Sequence, residues 1–346
     1  EAGPVRGRPH KERNMMRHRP LAGPLAALLL AAITMLPAAQ ALAQTSTQNF
    51  PARPLRLLAG QPPGGATDMV ARIISQKLGE SMGQPVVVEN RVGGGGITAM
   101  ETVVKSAPDG HTLMIVGTSF LVLTALYPEL TFDPMKDMAP VARAANAPSM
   151  LVVYPGLPAK TVADLVELAK AKPGELNFGS SAYGSAGHMG GEMFQKMTGT
   201  RMTHVPYKSA ATVMTDLLGG RVQLSFASIS SAVGHVKSGK LRALATTGDR
   251  RSSVAPDLPT VSEAGLSGFE VGSFQGIFAP ARTPAAVVTR LNREIVRGMN
   301  AADSRARLAA DGTETSDMSV EEFSRWLNVQ VPLWTGLAKS IGLKAN

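Results

Sequence analysis

Cysteine is absent from all 346 residues. That excludes disulfides, thiol nucleophiles, cysteine-ligated zinc, iron–sulfur clusters and lipid attachment at an N-terminal cysteine. It does not place the chain in a reducing compartment, because an exported protein need not carry thiols. Charge and aromatics are also scarce, at 18% and 5%. Of the net charge of +9, six basic residues (Arg6, Arg8, Lys11, Arg13, Arg17, Arg19) against Glu1 and Glu12 put +4 into residues 1–43, leaving +5 for the rest. No basic run with interleaved aromatics remains, so nucleic acid is not expected as a partner. Histidines past residue 43 are His111, His188, His204 and His235, with no paired spacing or acidic cluster, so neither a metal nor a cofactor is expected. His204 reads as packing within a strand and His235 as exposed on a helix.

Long apolar runs are missing too, with one near-exception. Leu21 to Leu36 is 16 residues and contains Pro24, short of the ~20 needed to span a bilayer. It follows Arg17, His18 and Arg19 and precedes Ala41-Leu42-Ala43, the order of a secretory signal cleaved before Gln44. Residues 1–14, ahead of Met15 and Met16, read as an over-extended start. The expectation is a periplasmic protein whose mature form is not embedded in the membrane.

What is present is a rhythm. The 35 Gly and 24 Pro fit many short loops rather than a low-complexity chain. Strand candidates at 54–59, 86–89 and 112–116 alternate with helical periods, notably Val70, Ile73, Ile74 and Leu78 on one face. A second set follows a proline-bearing joint near 145–149: strands at 150–153, 176–178, 203–207, 222–226 and 241–246, with Thr161–Asp164 as a capping box. Beyond a return near 247–270 the chain reads as helical, with Pro284 opening one helix and Ser319–Glu322 capping another. Repeated βαβ units imply α/β architecture with mostly parallel sheets flanked by helices. We expect two lobes with a cleft between them: residues 44–147 plus 265–346, and residues 148–264.

In such sheets ligands collect at the carboxyl ends of strands, beside helix N-termini. Four loops qualify. Gly64, Gly65, Ala66, Thr67 and Asp68 offer close backbone approach, a hydroxyl and a carboxylate, though Asp68 read alone is a helix-start residue satisfying its own N–H groups. Gly93–Gly96 fails the dinucleotide fingerprint at Thr98, and no Lys-Ser/Thr follows. It is a flexible packing turn. Thr118 and Ser119 end a strand. Ser180 to His188 supplies Ser180, Ser181, Tyr183, Gly184 and Ser185 at a helix start, well suited to a carboxylate. A nucleophile elbow fails there, because Tyr183 stands where Gly is needed. His188, three residues from Ser185, sits at a capping distance.

Seven weak motifs then stand in one order: Pro62–Asp68, Pro85–Arg91 with its glycine run, Ala107–Gly110, His204–Lys208, Gly239–Ala245, Leu258–Gly265 and Pro280–Pro284. Over residues 49–346 the chain resembles the Bug (Bordetella uptake gene), or TctC-like, family of extracytoplasmic solute receptors. The resemblance implies a two-lobed periplasmic binding protein, type II-like and not an enzyme, that closes by hinge motion on a small organic acid. It implies delivery to membrane subunits of a tripartite tricarboxylate transporter, and a monomeric receptor. Its binding elements map to 64–68, Thr118–Ser119 and 180–188, with Tyr207 and the strand end Ala227–Ser228. Phe120 would add an apolar wall. The resemblance implies that the carboxylate is held by backbone N–H groups, hydroxyls and water. We expect it at the helix starting near Ser185, with Asp68 and Thr67 closing over the other end. Two departures concern Tyr207-Lys208-Ser209, where Gly is usual last, and the uncharged Phe226-Ala227-Ser228. Readings from other classes are a ligand-sensing receptor docking on a membrane sensor, and a secreted serine hydrolase using Ser185.

Overall fold

The computed structural model describes residues 2–3, 50–93, 96–181, 184–309 and 312–343. The fold below is that of the unit Pro51–Asn346. The expected leader, with its cleavage signal and Met15 start, lies outside the described residues apart from Ala2 and Gly3. No helix among the described residues is long and apolar enough to cross a membrane.

The chain opens with strands β1 (Leu55–Ala59), β2 (Val86–Asn90) and β3 (Thr112–Val116) alternating with helices α1 (Ala66–Met82), α2 (Ile97–Val104) and α3 (Ser119–Leu126). The short α4 (Pro134–Asp137) leads into β4 (Met138–Val153). Then follow α5 (Val162–Ala171), β5 (Asn177–Ser180), α6 (Ala186–Thr198), β6 (Thr203–Pro206), α7 (Ala210–Leu218), β7 (Leu224–Ser228), α8 (Ile229–Lys237) and β8 (Arg242–Thr246). The remainder is β9 (Gly272–Pro280), α9 (Ala285–Met299), α10 (Ala302–Ala309), β10 (Glu314–Thr315) and α11 (Val320–Ser340). Helix α1 forms because Val70, Ile73, Ile74 and Leu78 fall on one buried face. Both expected capping boxes are formed, Thr161 with Asp164 on α5 and Ser319 with Glu322 on α11.

One sheet runs in the order β2-β1-β3-β9-β4-β7-β5-β6, with β8 and β10 also paired to β4. Each end is a parallel trio, β2-β1-β3 and β7-β5-β6. The antiparallel β9 and β4 join them, so the sheet as a whole is mixed. Where the sequence reads as a break near 145–149, the structure has continuous strand. Nine of the first eleven residues of β4 pair with β9, from Met138↔Pro280 to Pro148↔Gly272, and its last five pair with β7. Register shifts at Pro140/Ala142 and Arg143/Ala145 relieve the lost hydrogen bonds near Pro140. Strand β9, in a stretch that read as return and helix, alternates strictly: Phe274 packs toward Trp326 (4.9 Å) and Phe278 toward Phe323 (5.6 Å), leaving Ser273 and Gln275 for the other face.

Three segments run side by side between the halves. Ser149 N–H donates to Thr247 Oγ1 (2.8 Å), Thr247 N–H to Ser149 O (2.9 Å) and Val271 N–H to Thr247 O (2.9 Å). Gly272 is required here, because a Cβ would sit 2.5 Å from Ala147 O. Close by in sequence, Arg143 is 1% exposed, pairs with Glu270 (2.6 Å) and Asp249 (3.5 Å), and stacks on Trp326 at 4.5 Å. Trp326 Nε1 donates to the same Glu270 (2.8 Å), a paired buried charge that loses its compensation if either partner is removed.

Candidate ligand-binding cleft

Five strands feed directly into five helices: β1 into α1, β3 into α3, β5 into α6, β6 into α7 and β7 into α8. The first residues of those helices, Ala66, Ser119, Ala186, Ala210 and Ile229, all line one of two cavities, and the cavities share Ser185, Ala186 and Ser273. The smaller, 160 Å³, lies against the second half of the sheet, and eight of its eighteen lining residues are serine. The larger, 490 Å³, lies against the first half, with Gln61, Thr67, Thr118, Gln275, Tyr127 and Trp334 in its wall. Among the described residues neither wall contains Asp, Glu, Lys, Arg or His. The first N–H groups of a helix have no intrahelical acceptor and lie at the positive end of its dipole. The cleft therefore favours an anion with no cationic side chain.

Helix α6 is the best-built of these termini. Ser185 is its N-cap, with Oγ accepting from His188 N–H (3.3 Å) and the carbonyl from Met189 N–H (2.9 Å). Its first turn lies directly on β7: a Cβ on Gly187 would come within 2.8 Å of Phe226 O. Behind the loop two imidazoles stack, His188 on His204 at 3.9 Å. His204 Nε2 pairs with Ser180 Oγ (2.7 Å), while His188 Nδ1 accepts from Gly184 N–H (2.9 Å). The two rings thus fix both ends of the segment whose middle, Tyr183 included, lies outside the described residues. Burial, and then the neighbouring His188, push His204 down to about 4, so it is neutral at pH 7 and able to hold the Ser180 hydroxyl.

The expected site residues divide into those that reach the cavities and those that do not. Ser180, Ser181, Ser185, Ala227 and Ser228 line the smaller cavity, and Ala66, Thr67, Thr118, Ser119, Gly184 and Ser185 the larger. Thr118 Oγ1 also accepts from Phe274 N–H (3.2 Å), tying α3 to β9. Gly64 and Gly65 are exposed and line neither.

Asp68 corrects the expectation that it closes over the ligand. It is 3% exposed and accepts from Arg72 Nε (2.8 Å), Arg72 Nη2 (3.3 Å), Gly64 N–H (3.1 Å) and Asn90 Nδ2 (3.0 Å). Those bonds, Arg72 foremost, hold its carboxyl down at about 2 against the opposing effect of burial. Its carboxylate is spent on its own loop, on Arg72 one turn along α1 and on Asn90 of β2. Thr67, expected to act with it, does face the cavity, while its hydroxyl donates to Gln61 Oε1 (2.7 Å).

Four further expectations change. Phe120 is 2% exposed and packs on Phe278 at 4.6 Å, which makes it core rather than cavity wall. His188 is 3% exposed and lines neither cavity. Tyr207 also stands off: its hydroxyl donates to Asp216 Oδ2 (2.8 Å), and burial together with that carboxylate pushes the phenol up to about 12. His235, expected exposed, is half-buried on α8. Sequence reasoning missed Gln61, Ser273, Gln275 and Trp334. Gln61 adjoins the proline-glycine loop and could have been found there; Ser273 and Gln275 depended on recognising β9.

An α/β sheet in two halves, with helix N-termini turned to an uncharged cleft, is the fold of a two-lobed periplasmic solute-binding receptor. The sequence profile of the tripartite tricarboxylate transporter family receptor, TctC, matches residues 70–343, and the chain belongs to that family, whose members are periplasmic receptors and not enzymes. Protein BugT of Bordetella pertussis is 33% identical over 304 residues, covering 87% of this chain and 93% of BugT. Rhodopseudomonas palustris Rpa4515, solved with adipate, is 35% identical with a TM-score of 0.62, over 85% of this chain and 98% of that one. MatC from the same organism, with bound malate, is 30% identical with a TM-score of 0.60, over 83% and 99%.

Proposed function

We propose that this chain is an exported receptor that captures a small organic acid and passes it to the membrane subunits of a tripartite transporter. The observation that carries this reading is the convergence of five helix N-termini on a cleft that, among the described residues, has no charged side chain in its walls. The carboxylate sits at the start of α6, where Ser185, Ala186 and Ser273 belong to both cavities. The adipate and malate of the two Rhodopseudomonas relatives support an acid of the same small size, and mono- or dicarboxylates and aromatic acids are all candidates.

In this reading residues 44–147 with 265–346 form one lobe and 148–264 the other. They rock about the crossing at Pro148–Ser149, Thr247 and Val271–Gly272. Closure expels water and strengthens each N–H···carboxylate bond in the lower local dielectric. The receptor works as a monomer, exported by a leader cut near Ala43. Thermal-shift screening of protein beginning at Gln44 against C4–C8 dicarboxylates, tricarboxylates, aromatic acids, nicotinate and acidic amino acids tests the reading. An acid present at 100 times its dissociation constant adds ~2.7 kcal/mol, which a melt resolves. No shift from any acid would contradict it.

A further inference from the structure

One group in the cleft is out of keeping with the rest. Gln275 is 3% exposed and lines the larger cavity, yet its Oε1 is buried with no hydrogen-bond partner among the described residues. A native fold rarely leaves a buried amide oxygen unmet unless something else comes to it, since the desolvation is costly. The neighbouring carboxamide is already used, Gln61 Oε1 accepting from Thr67 Oγ1 at 2.7 Å. Among the described residues no cation in the wall competes for the Gln275 oxygen. Oε1 is shielded from the cavity in this structure, but a carboxamide turns end for end without changing shape, so a rotation of Gln275 brings either its acceptor or its donor to the cavity surface.

Position and surroundings narrow that occupant. Ser273 and Gln275 are alternate residues of β9 on the same face, about 7 Å apart, and Ser273 is at the junction of the two cavities. The same cavity has an apolar part to its wall, Val122, Leu126, Leu343 and the ring of Trp334, beside the polar Gln61, Thr67 and Thr118. Trp334 Nε1 is committed to Gln330 Oε1 (3.0 Å), so only its ring is offered. A carboxylate at the junction, an aryl or alkyl body against the apolar wall, and a neutral donor at Gln275 describe a single molecule.

We infer that the ligand is asymmetric: a small carboxylic acid carrying an uncharged hydroxyl or amide N–H donor at its far end, recognised by Gln275. This rests on the proposed acid-binding role and sharpens it. A second carboxylate at that end would meet only the N–H₂ of Gln275 and leave no donor for its oxygen.

Calorimetric titration with matched pairs tests it: benzoate against 4-hydroxybenzoate, hexanoate against 6-hydroxyhexanoate, with adipate as the symmetric reference. In the wild-type receptor the hydroxylated member of at least one pair binds about tenfold tighter than its partner, and tighter than adipate. In Gln275→Leu and in Gln275→Met, which keeps the length of the side chain, that preference falls to within about twofold. The preference is a ratio within one protein, so partial destabilisation of a variant does not imitate the result. Equal affinities within both pairs in the wild type, or a preference that survives both substitutions, would overturn the inference and leave the acid-receptor reading intact. Failure of every acid, adipate included, would overturn both.

Discussion

The loops after β1 and β5 are built alike, each a glycine-bearing turn between a strand and a helix N-terminus, yet they do opposite things. The first turns inward: Asp68 collects Gly64, Arg72 and Asn90, and the charge at the start of α1 is neutralised by the protein itself. In the second, Ser185 stands where α1 has Gly65 as its N-cap, and His188 stands where α1 has Asp68. Ser185 caps α6 and Ser180 is held from behind by His204, so the first N–H groups of α6 remain for an external anion. Ser185 thus leaves the first N–H groups of α6 open to an anion, whereas Asp68 is bonded to Gly64, Arg72 and Asn90 and stays out of the cleft.

Substitutions that exchange these behaviours would break the comparison. The largest effect belongs to Gly187→Val, whose side chain would collide with Phe226 O, 2.8 Å from the Cβ position. Stability falls by ~2–3 kcal/mol and acid binding is lost, as melts and titration would report; a variant that binds normally would mean α6 does not seat the carboxylate. Asp68→Asn comes next. It weakens Arg72's ion pair and places an N–H₂ among donors, costing ~1–3 kcal/mol, while affinity stays within about threefold because Asp68 lines neither cavity. Ser185→Ala does the reverse, losing a cap worth ~1 kcal/mol and about tenfold or more in affinity. If Asp68→Asn were the more damaging to binding, the two loops would have been assigned the wrong way round.

Acid melts sharpen the contrast. Asp68 titrates at about 2 in the fold against 3.8 when unperturbed, so its contribution is complete above the latter value and is lost as pH falls toward the former. His204 is held neutral, at about 4 against 6.5. The unfolded chain therefore takes up its proton first, and stability declines as pH falls from 6.5 to about 4. Wild-type protein should show both arms. His204→Gln removes the upper one and Asp68→Asn the lower, and a single arm lost in both variants would contradict the assignment. The smallest effect is expected for Tyr207→Phe, which gives up one half-buried hydrogen bond to Asp216, ~0.5–1.5 kcal/mol, with affinity unchanged.

Much of this was legible in the sequence because it is local. The period of α1, the capping boxes of α5 and α11 and the strand–loop–helix rhythm depend on neighbours within a few residues, and so does the serine-rich start of α6. What was not legible depends on distance. Strand β4 hides behind Pro140 and Pro148, tolerated because bulges and the turn from one half to the other take up the missing N–H groups. Strand β9 is nearly all buried, and its polar–apolar alternation of Ser273, Phe274 and Gln275 ends at Gly276, too short a run to read as a strand. Asp68 misled because its partners come from three places: its own loop, the next turn of α1, and Asn90 at the end of β2. The serines of the smaller cavity converge from β4, β5, β7 and β9, which no single stretch of sequence displays together.

The most direct test of where the anion sits is an ¹H–¹⁵N titration of the receptor with the tightest acid from the screen, following backbone amides. The amide protons of Ala186 and Gly187 should move strongly downfield as each gains a carboxylate acceptor, while Gly64, already bonded to Asp68, should hardly move. Large shifts at Gly64 with Ala186 and Gly187 unmoved would contradict the account, placing the anion on the loop that the structure shows closed.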